Sequence, residues 1–110
     1  MFAEVKRNLD IIGDDYDEQI VDAIYAAVLD LTRTADIVLP GTVSITVNTD
    51  GSVSDNSSLK DEYAIQAIIL YCKCSIGNPP NYDKLLAAYS MIKKNMSRSS
   101  AYSFNPAEGD

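Results

Sequence analysis

The spacing of apolar residues along the chain predicts four helices. A short first helix covers residues 2–9, and a longer second helix covers residues 15–35, where apolar side chains recur at intervals of three and four. Residues 63–74 are apolar at all but two positions, which is typical of a helix buried on most sides. A fourth amphipathic helix begins near residue 81. Its apolar stripe consists of Tyr82, Leu85, Leu86, Tyr89, Ile92 and Met96.

Between the second and third helices the period changes to two. Val43, Ile45 and Val47 alternate with polar residues, which predicts a β-strand. Gly51 ends a turn-forming stretch, and residues 52–54 form the predicted returning strand. Because this hairpin has few apolar residues, we expect it to pack on the helices or on a neighbouring subunit.

Local signals place the ends of the third helix and describe its two cysteines. Ser57 or Ser58 is the predicted N-cap, and Gly77 marks the end of the helix. Cys72 and Cys74 lie two positions apart and therefore point in different directions on a helix. We therefore predict two buried, reduced thiols that act as small apolar residues.

Together these elements predict an all-α fold, a small bundle of about four helices with a short β-hairpin insertion. The 110 residues suffice for one core, and residues 1–96 form the predicted single helical domain. Residues 97–110 are polar and aperiodic, which predicts a flexible C-terminal tail. Tyr102 and Phe104 in this tail can anchor it to a partner protein.

Composition argues against several functional classes. The chain has no histidine, and its 9 Lys+Arg against 16 Asp+Glu give a net charge of −7. Without histidine there is no Ser-His-Asp or Cys-His catalytic system and no histidine-ligated zinc, and an acidic chain lacks the basic footprint of DNA binding. No Walker-type phosphate loop or dinucleotide fingerprint is present. We therefore expect no catalytic residues and no cofactor.

The start of the chain and its apolar runs give no indication of a membrane location. The N-terminal residues lack the pattern of a signal peptide, and the longest apolar run, residues 23–29, is far shorter than the roughly 20 residues of a membrane span. We expect synthesis in the cytoplasm and no membrane partner.

The densest candidate site is acidic and lies at the start of the second helix. Carboxylates at this density can bind Ca²⁺ or Mg²⁺, but the glycine and distal glutamate of a calcium loop are missing. Capping of the helix by the first or second acid, together with a solvated helix face, explains the group without a metal. We therefore predict no metal site. The acidic cluster consists of Asp14, Asp15, Asp17, Glu18 and Asp22.

Charge is distributed unevenly along the chain. Residues 1–62 hold 13 acidic and 4 basic residues, whereas residues 63–110 hold 3 acidic and 5 basic residues. A subunit with two ends of opposite charge can stack on copies of itself, and such contacts close into rings when the rotation allows. Chance variation between helix surfaces explains the asymmetry about equally well.

In its order of parts, the chain resembles the head–tail connector (adaptor) proteins of tailed phages and prophages. The resemblance covers roughly residues 5–96 and excludes the hairpin region. It rests on order and spacing, because no single motif is diagnostic. The residues that carry it are Val5 to Ile11, Asp14-Asp15, Asp17-Glu18, Ile20, Ile24, Ala26-Ala27, the helix of Ala64 to Tyr71 with its following glycine, and Leu85 to Tyr89.

The resemblance implies a virion protein without catalytic residues, made in the bacterial host. Its subunits would form a ring below the portal of the capsid, extend the DNA channel and bind the next connector or tail protein. In this family the C-terminal segment tends to dock on the portal, a role that would fall to Tyr102 and Phe104. DNA would pass through without specific binding, since carboxylates of the acidic cluster facing the channel or its rim would repel phosphates.

Two other interpretations remain open at this point. One is an acidic helical adaptor or regulator that binds a basic protein as a monomer or dimer. The other is a metal-dependent enzyme that uses the acidic cluster. Formation of rings with portal protein would distinguish the connector from the adaptor, and titration with Ca²⁺ and Mg²⁺ would test the enzyme.

Overall fold

The structure, a computed structural model, describes residues 1–76 and 79–102. It confirms the predicted architecture of four helices and one antiparallel hairpin. The elements, in chain order, are α1 (Phe2–Asn8), α2 (Asp17–Leu29), β1 (Ile45–Val47), β2 (Val53–Asp55), α3 (Glu62–Ser75) and α4 (Tyr82–Arg98).

Helix α3 lies at the centre of the fold, as its apolar sequence predicts. It packs against α2 on one side and α4 on another, while α1 contacts both α2 and α3. Seven of its residues are buried, so few of its positions reach solvent. These are Ala64, Ile65, Ala67, Ile68, Ile69, Leu70 and Cys72.

Helix α2 ends in a widened turn before the loop that leads to the hairpin. Residues Asp30–Thr34 form a π-helical turn, in which the Thr32 hydroxyl donates a hydrogen bond to the carbonyl of Val28. Asp36 then adopts a positive φ of 53°, and the Ile37 amide donates to the Leu31 carbonyl at 3.1 Å. Helical structure therefore ends at Thr34, close to the predicted residue 35.

The predicted caps of α2 and α3 are wrong. Helix α2 begins after Tyr16, and no side chain caps it. Helix α3 is capped by Asp61, whose carboxylate accepts a hydrogen bond from the Ala64 amide at 3.0 Å. Ser57 and Ser58 lie too early in the chain to cap a helix that begins at Glu62, and their hydroxyls accept hydrogen bonds from backbone amides of residues 44 and 42 instead.

The hairpin leans on α2, as its small apolar content predicts. Strands β1 and β2 pair in the register Ile45 with Asp55 and Val47 with Val53. The Tyr25 hydroxyl donates to the Ile45 carbonyl at 3.0 Å and accepts from its amide at 2.8 Å. One tyrosine on α2 therefore satisfies both backbone groups of the first strand residue. Val43, which the alternation assigned to the strand, precedes it.

Gly41 allows the segment before the hairpin to lie against the segment before α3. Its φ is +151°, and a Cβ at this position would lie 2.7 Å from the Leu59 Cα atom. A side chain there would therefore collide with backbone rather than with a movable side chain.

The ordered domain extends further than the predicted boundary at residue 96. Helix α4 continues to Arg98, and a 3₁₀ turn follows at Ser100–Tyr102. Tyr102 is buried, and its carbonyl accepts a hydrogen bond from the Val38 amide at 2.7 Å. Residues 97–102 are thus part of the helical domain. The remainder of the expected tail, residues 103–110, and the Gly77 stop lie outside the described residues.

The two cysteines are free thiols, as predicted. Cys72 is fully buried, and its burial raises the pKa of the thiol to about 12. Cys74 is only partly buried, so the prediction of a buried thiol is wrong for this residue. Among the described helices, none is both long and apolar enough to cross a membrane.

Candidate interaction surface

The acidic cluster is divided by the fold into one buried carboxylate and four exposed ones. Asp17 is only 5% exposed, and one of its oxygens lies 2.8 Å from the Lys6 Nζ of α1. This hydrogen bond raises the pKa of Lys6 above its ordinary value. The prediction that Asp17 belongs to a solvent-facing acidic surface is therefore wrong, because this side chain ties α1 to the start of α2.

The other four acids face solvent. Asp14 is 3.5 Å from Lys6 but its side chain is 84% exposed. Asp15, Glu18 and Asp22 are exposed on the first turns of α2 or just before them. Three of the four, Asp14, Asp15 and Glu18, line an open groove of about 370 Å³ whose other wall is the hairpin turn. Within residues 1–76 and 79–102, no group of acidic and cysteine side chains has the arrangement of a metal site.

One side of α2 combines exposed carboxylates with an exposed leucine. We call Glu18, Asp22, Ala26 and Leu29 the α2 outer face, since their spacing of four, four and three places them on one side of the helix. Leu29 is 50% exposed although it is fully apolar. The face therefore has an acidic half near the N-terminus and an apolar half near the C-terminus.

Helix α4 carries a face of the opposite charge. We call Lys84, Ala87, Met91, Lys94 and Arg98 the α4 outer face, because spacings of three and four again place them on one side. Met91 is 66% exposed, one of the most exposed large apolar side chains of the described chain. Asp83 adjoins this face at the start of the helix. The face thus has an apolar centre between basic residues.

The hydrogen bonds that join the α2 region to α4 involve neither outer face. Where α2 ends, its π-helical turn meets α4 through a different set of side chains. The Tyr89 hydroxyl and the Lys93 ammonium both donate to the Asp30 carboxylate, the latter at 3.1 Å. Lys93 follows Met91 by two positions and so points to nearly the opposite side of α4. The internal contact therefore leaves both outer faces free.

Burial and pairing shift the titration of this internal cluster. Desolvation acts to raise the pKa of Asp30, but the hydrogen bonds from Tyr89 and Lys93 outweigh it and hold the pKa below its ordinary value. Burial, and then the adjacent carboxylate, raise the pKa of Tyr89. Both shifts keep a charged acceptor facing a neutral donor. The cluster therefore acts as a structural clamp between α2 and α4.

Tyr102, one of the two predicted docking residues of the tail, has a partner within its own chain. Its hydroxyl donates to the Asp61 carboxylate that caps α3, at 2.5 Å. Burial and this carboxylate raise the pKa of Tyr102 to about 12. In this structure Tyr102 fixes the end of the domain instead of projecting toward a partner. Phe104 lies outside the described residues.

Sequence reasoning missed Leu29 and Met91 as surface residues. The helical periodicity held a signal for both, because neither fits the apolar stripe of its own helix. Tyr82 and Leu86, assigned to the apolar stripe of α4, are also more than two-fifths exposed. No signal in the sequence indicated the Asp30 cluster, because Tyr89 and Lys93 lie 59 and 63 positions after Asp30.

Comparison of the chain with protein-family models, with curated proteins and with solved structures finds no match in any of the three.

Proposed function

We propose that this protein is a head–tail connector subunit of a tailed phage or prophage. It acts in the virion, where copies form a ring below the portal, extend the DNA channel and provide a surface for the next connector or tail protein. The resemblance over residues 5–96 names this function. The rest of the support comes from the surface of the subunit.

The observation that carries the proposal is the pair of outer faces. Two surfaces of opposite charge attract each other and favour one relative orientation. Here one subunit exposes a large apolar side chain on each of two helix faces of opposite charge, Leu29 beside acidic residues on α2 and Met91 between basic residues on α4. A ring requires two different, complementary surfaces on every subunit, which is what a heterologous contact means.

The exposed acids suit a channel through which DNA passes. Asp14, Asp15 and Glu18 line the groove beside the hairpin turn and form an edge of negative charge there. Phosphates are repelled by such an edge, so a channel lined or rimmed by it allows DNA to move without being held. Asp17 takes no part because its charge is paired with Lys6.

The portal-docking role falls to the segment after the domain. Tyr102 is fixed on α3 and near Val38, so residues 103–110, with Phe104, begin from a defined point on the subunit. Docking of this segment on the portal requires no change in the fold of residues 1–102.

Ring formation tests the proposal. The purified chain is examined by light scattering and electron microscopy, alone and after mixing with the portal protein encoded in the same phage or prophage. We expect rings with a central opening that bind to the portal. A second sample that ends at residue 102 should keep its fold and bind the portal less well.

The alternative function gives a different result. An acidic adaptor would remain a monomer or dimer with portal protein present and would form a complex of fixed small size with a basic protein. Absence of rings both with and without portal would overturn the connector proposal.

A further inference from the structure

We propose that the contact between neighbouring copies is an antiparallel pairing of the α2 outer face of one copy with the α4 outer face of the next. This inference rests on the proposed function in one respect, namely that copies assemble side by side. It adds which helices meet, in which direction and in which register.

The apolar centres define where the two helices touch. Leu29 is 50% exposed and Met91 is 66% exposed, and each is the largest apolar side chain of its face. Stacking one on the other removes both from water, which is the main favourable contribution to such a contact. The neighbours toward the charged ends, Ala26 and Lys94, then lie opposite each other. The small alanine leaves room for the aliphatic stem of the lysine.

The spacing of charges from these centres sets the direction. Asp22 lies seven residues before Leu29, and Arg98 lies seven residues after Met91. Seven residues return to nearly the same side of a helix and span about 10 Å. When the helices run antiparallel with Leu29 on Met91, Asp22 therefore lies opposite Arg98.

A parallel alignment is less favourable because of two other charges. It would bring Arg33, at the end of the α2 region, toward Lys94 and Arg98, and it would place Asp22 beside Asp83 as well as Lys84. Like charges held close together across an interface are unfavourable. The antiparallel alignment moves Arg33 away from Lys94 and Arg98 to a position opposite Ala87, and the end of the contact that holds Asp22 and Arg98 pairs opposite charges.

The contact can repeat from subunit to subunit. Each copy uses its α2 outer face with one neighbour and its α4 outer face with the other. The Asp30 clamp joins the two helices on a different side and so stays intact. A contact between two different surfaces continues until the chain of subunits closes into a ring.

Charge reversal tests the register. Sedimentation velocity of the full chain over a wide range of concentration measures self-association of the wild type, Asp22→Arg and Arg98→Glu. Each single variant places like charges opposite each other, and we expect about a tenfold or larger loss of association. Mixing the two variants restores opposite charges wherever the two variants alternate and should restore assembly. The double variant should assemble with itself and no longer with the wild type.

Matched variants separate this effect from net charge. Glu62→Arg and Lys60→Glu make the same changes of charge at exposed positions outside both faces, and they should leave association unchanged. Leu29→Gln and Met91→Gln test the apolar centre and should each weaken association at least tenfold. Asp22, Leu29, Met91 and Arg98 are all exposed, so circular dichroism should show that each variant keeps the fold of the wild type.

The outcomes distinguish this inference from the proposed function. If copies assemble and Asp22→Arg behaves like Glu62→Arg, the pairing is wrong and the connector function stands. If assembly requires portal protein, the same variants are scored by ring formation on the portal, with the same rescue expected on mixing. If no assembly occurs under either condition, both the pairing and the connector function are overturned.

Discussion

Two groups of carboxylates in the acidic half of the chain have different surroundings. Four of them, which we call the inner carboxylates, accept hydrogen bonds or ion pairs from distant parts of the chain. These are Asp17, Asp30, Asp55 and Asp61. Three others, the outer carboxylates Asp15, Glu18 and Asp22, face solvent and form no such contact with another described residue.

Because of this difference, only part of the net charge of −7 is available for contact with another molecule. The inner carboxylates hold the elements together: Asp17 joins α1 to α2, Asp30 joins α2 to α4, and Asp61 joins the end of the domain to α3. Asp17, Asp30 and Asp55 are each paired with a cationic group, whereas Asp61 accepts hydrogen bonds from neutral donors. The outer carboxylates are the part of the acidic excess that another molecule can meet. Substitutions in the two groups should therefore affect different properties, stability in the first and association in the second.

The largest effect on stability is expected at Asp30. Asp30→Ala removes the acceptor of the buried Tyr89 hydroxyl and the partner of Lys93. A buried donor left without an acceptor is costly, and we expect a loss of about 2–3 kcal/mol in the free energy of unfolding. Urea denaturation measures this loss.

A double-mutant cycle of Asp30→Ala and Tyr89→Phe assigns the loss of stability to the contact between these two side chains. Tyr89→Phe alone removes the donor and should lower the free energy of unfolding by about 1 kcal/mol. Because the phenylalanine ring needs no acceptor, the double variant should be less destabilised than the two single losses together. Simple additivity would show that the Tyr89–Asp30 contact does not contribute to stability.

Substitution of Asp55 is expected to have an intermediate effect on the free energy of unfolding, and this effect should depend on pH. Its carboxylate accepts a hydrogen bond from the Phe2 amide at 2.7 Å and lies 2.9 Å from the amino group of Met1. Desolvation acts to raise the pKa of Asp55, but the hydrogen bonds from Phe2 and Ser57 and the N-terminal charge hold it well below its ordinary value. Asp55→Asn should lower the free energy of unfolding by about 1 kcal/mol near neutral pH.

The sign of the pH dependence follows from the lowered pKa. A carboxyl group with a lower pKa in the folded state stabilises the fold above its unfolded pKa of about 3.9, and this contribution is lost as the pH falls toward the folded value. The difference in thermal midpoint between wild type and Asp55→Asn should therefore be largest at neutral pH and shrink below about pH 4. A difference that is constant with pH would contradict the assignment.

The general architecture could be predicted because it depends on local patterns. Helical periodicity located the four helices, and the change to a period of two located the hairpin. The central position of α3 followed from its apolar sequence. These features need only the spacing of neighbouring residues, so each part of the chain carries its own signal.

The contacts that fix the fold could not be predicted because they join residues that are far apart in sequence. Asp17 looked like one of several acids at a helix start, and only the position of Lys6 on α1 shows that it is buried. Ser57 and Ser58 had the chemistry of N-caps, but the segment that contains Thr42 and Ser44 engages their hydroxyls. Tyr102 belonged to a polar, aperiodic stretch, and its order depends on Asp61 and Val38.

The smallest effect on stability is expected for the outer carboxylates, and it is the sharpest test of the division. Glu18→Gln and Asp22→Asn remove charges that have no structural partner among the described residues, so each should change the free energy of unfolding by less than about 0.5 kcal/mol. Asp17→Asn, which lies on the same turn of α2, should instead destabilise the protein clearly because Lys6 loses its buried partner. Urea denaturation of the three variants compares equal changes of charge within one helix. If Glu18→Gln or Asp22→Asn destabilised the chain as much as Asp17→Asn, the outer carboxylates would be part of the fold, and their availability to a neighbouring subunit would have to be abandoned.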